Sequence, residues 1–124
     1  MSTTRHVRAL RGATTVAADD AAAIVAATKE LLSEILERNT ASVEDLISIV
    51  FTTTPDLHAE FPAAGARVLG VGDVPLLGAQ EMDVSGALPR CIRVLIHLYT
   101  ERDYASLRHV YLGDARSLRT DLPD

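Results

Sequence analysis

QEMDVSGALPRCIRVLIHLY, residues Gln80–Tyr99, decides how this chain is read. Its second half alternates as a β-strand. Ile92, Val94, Ile96 and Leu98 fall on one face, while Cys91, Arg93, Leu95, His97 and Tyr99 fall on the other, because successive strand side chains point to opposite sides. Arg93 thus sits inside an otherwise apolar strand, where a guanidinium cannot be left dry and unpaired. Its anionic partner is either Glu81, across the Gly-Ala-Leu-Pro turn region, or a carboxylate or ether oxygen of a ligand.

Working outward, the segments around this strand are short and mixed. His6–Thr14 reads as a strand with Val7, Ala9 and Arg11 on one face and Arg8 and Leu10 on the other. With one face buried, one of the two arginines needs a special partner. Asp19-Asp20 opens the strongest helix, running to about Arg38, with acidic residues in its first turn and Asn39 as its C-cap. Ile24, Val25, Leu31, Leu32, Ile35 and Leu36 form its apolar stripe. Ser42–Asp45 is a capped turn of the S-x-x-D kind leading into the β-branched strand Leu46–Thr54. Pro62 opens a short Ala-rich helix ending near Leu69. A strand follows over Val74–Ala79, which Pro75 marks as an edge or strand start, and a last one over Arg108–Leu112.

The fold class expected is α+β: a mixed sheet of about five strands, covered on one face by one long and one or two short helices. The 124 residues suit a single domain over 1–124, with 1–4 and 113–124 as mobile tails. The uncovered sheet face, bearing Arg93, Leu95, His97 and Tyr99, is too apolar for water and too polar for a dry core. Burial against copies of the same chain is the economical solution.

Composition narrows the function classes. A net charge of −5, with no basic tract, argues against nucleic acid or an anionic membrane surface as partner. No apolar run approaches the roughly 18–20 residues of a spanning helix, and the lone Cys91 fits a reducing cytoplasm. His6, His58, His97 and His109 have no metal-ligand spacing; no phosphate-binding glycine loop or nucleophile elbow is present. Cys91 reads as a small core residue. What remains is a set of arginines (Arg11, Arg67, Arg93), Glu81 beside the central strand and a late tyrosine, Tyr111. Such a set can hold a small polyanion without supplying a nucleophile or a base.

RGATTV (11–16), TPDLHAEFPA (54–63), VPL (74–76), QEMDVSGALPRCIRV (80–94) and RHVYL (108–112) resemble, in order and with close spacing, the motifs of the AroH-class chorismate mutases. The resemblance implies a pseudo-α/β-barrel homotrimer with active sites at the subunit interfaces. The reaction implied is the Claisen rearrangement of chorismate, a small dicarboxylate, to prephenate in phenylalanine and tyrosine biosynthesis, with no cofactor and no metal.

Carried over residue by residue, it assigns carboxylate binding to Arg11, contact with the ring hydroxyl to Glu81, contact with the ether oxygen to Arg93, and a further carboxylate contact to Tyr111. Phe61 and Arg67 match positions lining the mouth, and Leu118 matches a tail residue closing over the site. Three positions depart from the family pattern: Ala64 replaces a lysine, and Leu77 and Gly78 replace a threonine and a cysteine. Losing the lysine weakens long-range attraction of a dianion; the other two replacements remove side-chain hydrogen bonds near the hydroxyl. On these departures rests an alternative, a trimeric metabolite-binding or regulatory module that turns nothing over.

Overall fold

The computed structural model describes residues 4–119. The ends of both expected tails, residues 1–3 and 120–124, lie outside the described residues. Five strands form one mixed sheet: β1 (His6–Thr15), β2 (Leu46–Thr53), β3 (Leu76–Gln80), β4 (Cys91–Thr100) and β5 (Val110–Tyr111), in the order β3-β2-β4-β1-β5. β4 is the middle strand and pairs antiparallel with both β1 and β2; the edge pairs β2–β3 and β1–β5 are parallel.

The alternation read in β4 holds from Ile92 to Tyr99, and Cys91 at its start is buried with Ala13 and Ala115. Ile92, Val94, Ile96 and Leu98 are buried, while Arg93, Leu95 and Tyr99 are exposed. Against the buried face lies α1 (Ala21–Arg38), whose Leu31, Leu32 and Ile35 share one core with Leu10, Ile49, Phe51, Val94, Ile96 and Leu98. Asp20 caps α1 by accepting from Ala23 N at 2.9 Å, so the two aspartates precede the first turn rather than occupy it. At the other end the buried Asn39 does more than cap. Its Nδ2 donates to Ile35 O at 2.8 Å and to Arg108 O at 2.9 Å, while its Oδ1 accepts from Arg108 N at 2.8 Å.

That clasp explains why the last strand is shorter than Arg108–Leu112. Both main-chain groups of Arg108 are spent on Asn39, and the His109 ring takes the Arg11 N–H at 2.9 Å in place of a strand carbonyl. Only Val110 and Tyr111 then pair with β1. β3 starts two residues later than Val74, because Pro75 has no N–H for the ladder; its carbonyl instead accepts from Ile49 N at 3.0 Å. Residues 113–118 form a 3-10 helix that buries Ala115 against Ala13 and Cys91. Of the two arginines in β1, Arg8 lies with its guanidinium 4.7 Å from the Tyr104 ring centre, and Arg11 reaches the opposite face.

α2 (Ala63–Val68), entered through Pro62, packs on α1 at Gly65. A Cβ there would stand 2.7 Å from both Thr28 Cβ and the Val25 carbonyl. On the far face of the sheet Val7, Leu77, Leu95 and Tyr99 are exposed. Gly65→Ala is expected to cost about 1–3 kcal/mol by overpacking, read as a lower urea midpoint at unchanged m-value.

Candidate active site

Pairing register places the functional side chains. Ala79, Thr52, Arg93, Ala13 and Tyr111 are successive Cα partners across β3, β2, β4, β1 and β5, forming a single transverse row. One step along, Leu95 of β4 pairs with Val50 and Arg11. The two rows floor a cleft of about 390 Å³ on the face opposite α1, lined among others by Arg11, Thr52, Arg93 and Tyr111 and, from the 3-10 helix and the residue after it, Leu118 and Arg119.

Glu81 follows β3, its N–H held by Thr53 O at 2.7 Å. Its Oε1 accepts from Thr52 Oγ1 at 2.5 Å and lies 3.4 Å from Arg93 Nε. The carboxylate stands beside the cleft rather than in its lining and reaches it through Thr52 and Arg93. Of the two partners considered for Arg93, Glu81 is in place. The guanidinium is not dry, however: the side chain is 45% exposed, against 28% for Glu81. An arginine fixed on a central strand, paired on one nitrogen and open to a hollow, can meet an anionic or polar oxygen of a ligand.

Positive charge gathers at the other side of the cleft. His109 Nδ1 accepts the Arg11 N–H, which puts the ring proton of the neutral imidazole on Nε2. Burial, then the charges of Arg11 and Arg119, push its pKa below the ordinary imidazole value. Burial also pushes the Cys91 thiol up, the neighbouring Arg93 opposing, so Cys91 is a protonated packing residue beneath the 3-10 helix.

The chain therefore brings together Arg93, Glu81, Arg11, Tyr111 and Leu118. It does not bring Phe61 or Arg67 to the same cleft. Phe61 is 73% exposed at the rim of a separate hollow of about 520 Å³ beside Gly78 and Gln80, and Arg67 is exposed on α2. The Phe61 loop is anchored by Asp19, whose carboxylate accepts from His58 N at 3.0 Å and Ala59 N at 2.9 Å. Sequence reading missed Thr52 and Arg119. The run Thr52–Thr54, at and just past the end of β2, is a visible signal for the first, but only register shows which one faces Arg93.

Residues 7–122 match the family chorismate mutase type I. The chain belongs to the type I chorismate mutase family. It is 50% identical over 117 residues to chorismate mutase AroH of Thermus thermophilus, covering 94% of this chain and 96% of that one. With chorismate mutase AroH of Bacillus subtilis (strain 168) it shares 45% identity, covering 94% and 92%. A solved chorismate mutase from Clostridium thermocellum superposes with a TM-score of 0.88 at 46% identity, over 89% of this chain and 98% of that one. Among the described residues no group of three or more His, Cys, Asp or Glu could hold a metal ion, and no helix is long and apolar enough to cross a membrane.

β4 is entered through a strained residue. Arg90 has φ +48°, a backbone conformation unfavourable to a residue with Cβ. It is held by Asp56 Oδ2, which accepts its N–H at 2.9 Å, and by Val16 N, which donates to its carbonyl at 3.0 Å. Asp56 Oδ1 accepts from Thr54 Oγ1, which in turn accepts from Cys91 N at 3.0 Å, so the start of β4 is tied to the end of β2. The Thr54 hydrogen bond, followed by those around Arg90, holds the Asp56 carboxyl below its ordinary value of 3.8. A depressed folded-state pKa adds stability above the ordinary value and loses it as pH falls through the folded one. Asp56→Asn is thus expected to destabilise the protein at neutral pH, with the gap to wild type narrowing below about pH 4 in urea melts run at both pH values.

Proposed function

We propose that the protein catalyses the Claisen rearrangement of chorismate to prephenate in the cytoplasm, in the route to phenylalanine and tyrosine. The observation that carries this reading is the placement of Arg93: on the central strand, paired to Glu81, and lining one cleft with Arg11 and Tyr111. A pericyclic rearrangement transfers no proton and forms no covalent adduct with the protein. The chain has to hold a flexible dicarboxylate in its compact conformer and meet the charge that grows on the ether oxygen as the C–O bond lengthens. Arg11 and Tyr111 offer a cation and a hydroxyl for carboxylate oxygens. Arg93, carried by a strand rather than a loop, is a preorganised donor for the ether oxygen. The Glu81 carboxylate accepts from the substrate hydroxyl.

Three copies complete the sites. Phe61 and Arg67 lie outside the cleft of their own chain, and the sheet face bearing Leu95 and Tyr99 is exposed. Packing of these faces around a threefold axis buries them and lets each neighbour bring Phe61 and Arg67 to the mouth.

Purified protein is expected to abolish the ultraviolet absorbance of chorismate; binding without loss of absorbance would leave a metabolite-binding module instead. Arg93→Ala is expected to lower kcat by about 10²–10³ while leaving the protein folded. Arg93→Lys should recover little of this, because the forked geometry is lost. In solution the mass is expected to be that of three chains. Mixed Arg93→Ala and Arg67→Ala subunits, after exchange, should regain activity that neither variant has alone, since some sites in the mixed trimers then carry both arginines.

A further inference from the structure

We infer that Thr52 is a positioning residue for this reaction, acting through Glu81. The inference rests on the chorismate mutase reading and assigns the division of labour within the Glu81 carboxylate. Main-chain bonding fixes where Glu81 starts, since its N–H is tied to Thr53 O at 2.7 Å, but leaves its side-chain torsions to be set by contacts. Register puts Thr52 directly opposite Arg93, on the same face. The Thr52 hydroxyl donates to Glu81 Oε1 at 2.5 Å, and the same oxygen lies 3.4 Å from Arg93 Nε.

Both contacts fall on Oε1. Oε2 is thereby the oxygen left to accept from a substrate hydroxyl, while Nε of Arg93 faces its counter-ion and the side chain lines the cleft. The weight falls on the hydroxyl because 3.4 Å is long for an N–H···O bond, so Arg93 alone holds the carboxylate loosely. Neither alanine of the transverse row can replace it, since Ala79 and Ala13 carry no polar side-chain atom. An acceptor pinned on one oxygen and presenting the other selects a substrate that donates at that position. A cyclohexadiene diacid with a free hydroxyl qualifies, and its O-methyl ether does not.

Thr52→Val removes the hydroxyl at nearly constant volume. It is expected to lower kcat about ten-fold or more, the scale of one hydrogen bond to a charged group, with KM changed by less than about three-fold. Thr52→Ala, which cannot overfill the site, should show a similar loss, and Thr52→Ser should return kcat to within about three-fold of wild type. The decisive comparison is a double-mutant cycle: in a Glu81→Ala background, adding Thr52→Val should change kcat by less than about two-fold. Wild-type kcat in both Thr52→Val and Thr52→Ala would overturn the inference. A Thr52→Val loss of the same size with and without Glu81 would also overturn it, because a merely structural role persists when the carboxylate is gone. An active wild type with either result sinks this inference alone; a wild type inert toward chorismate sinks the underlying reading with it.

Discussion

Everything at the cleft depends on the seating of β4 between two antiparallel neighbours. A strand with partners on both sides has no freedom to slip, since a one-residue shift would turn Ile92, Val94, Ile96 and Leu98 out of the core. The apolar face therefore fixes the phase of the polar one. Arg93 opposes Thr52 on one side and Ala13 on the other because the core requires it, and the geometry of the site follows from burial on the reverse of the same sheet.

The surroundings are built to keep that seating firm where it matters. The strand begins at a residue in an unfavourable backbone conformation, restrained by Asp56, Thr54 and Val16. Strain of this kind persists only where neighbouring bonds over-determine it. Gly65 performs a comparable service on the helix side, letting α2 approach α1 closely and so fixing the entry of the Phe61 loop, which Asp19 ties down from the other end.

Much of this was legible before any coordinates. Alternation in β4 and β1, the stripe of α1 and the edge role announced by Pro75 are local signals, and local signals survive folding. The need of Arg93 for an anionic partner followed from the cost of an unpaired guanidinium, with Glu81 as one of two candidates. Less legible were features made by contacts distant in sequence. The shortening of β5 depends on Asn39, 69 residues before Arg108, and the 3-10 helix at 113–118 gains its place by laying Ala115 on Ala13 and Cys91. Thr52 belongs to the same class. Among three adjacent threonines, composition cannot say which one meets the carboxylate, and only the pairing of β2 with β4 decides. Phe61 was recognised by family likeness alone, and Arg67, one of three arginines singled out from the residues, was given its place at the mouth by the same likeness; neither lines the cleft of its own chain.

The imidazole of His109 stands where a main-chain oxygen would ordinarily complete the ladder. A carbonyl accepts at every pH; a ring nitrogen accepts only while it has a lone pair to offer. One bond in the attachment of the last strand, beside the Asn39 clasp and the ladder of Val110 and Tyr111, has therefore been handed to a titrating group. Burial and two nearby cations push the protonation of that group to lower pH, so the bond to Arg11 persists as the medium becomes acid through the range where a free imidazole would already have taken up its proton. That bond is thus conditional on acidity, with its threshold lowered first by burial and then by the cations that border the cleft.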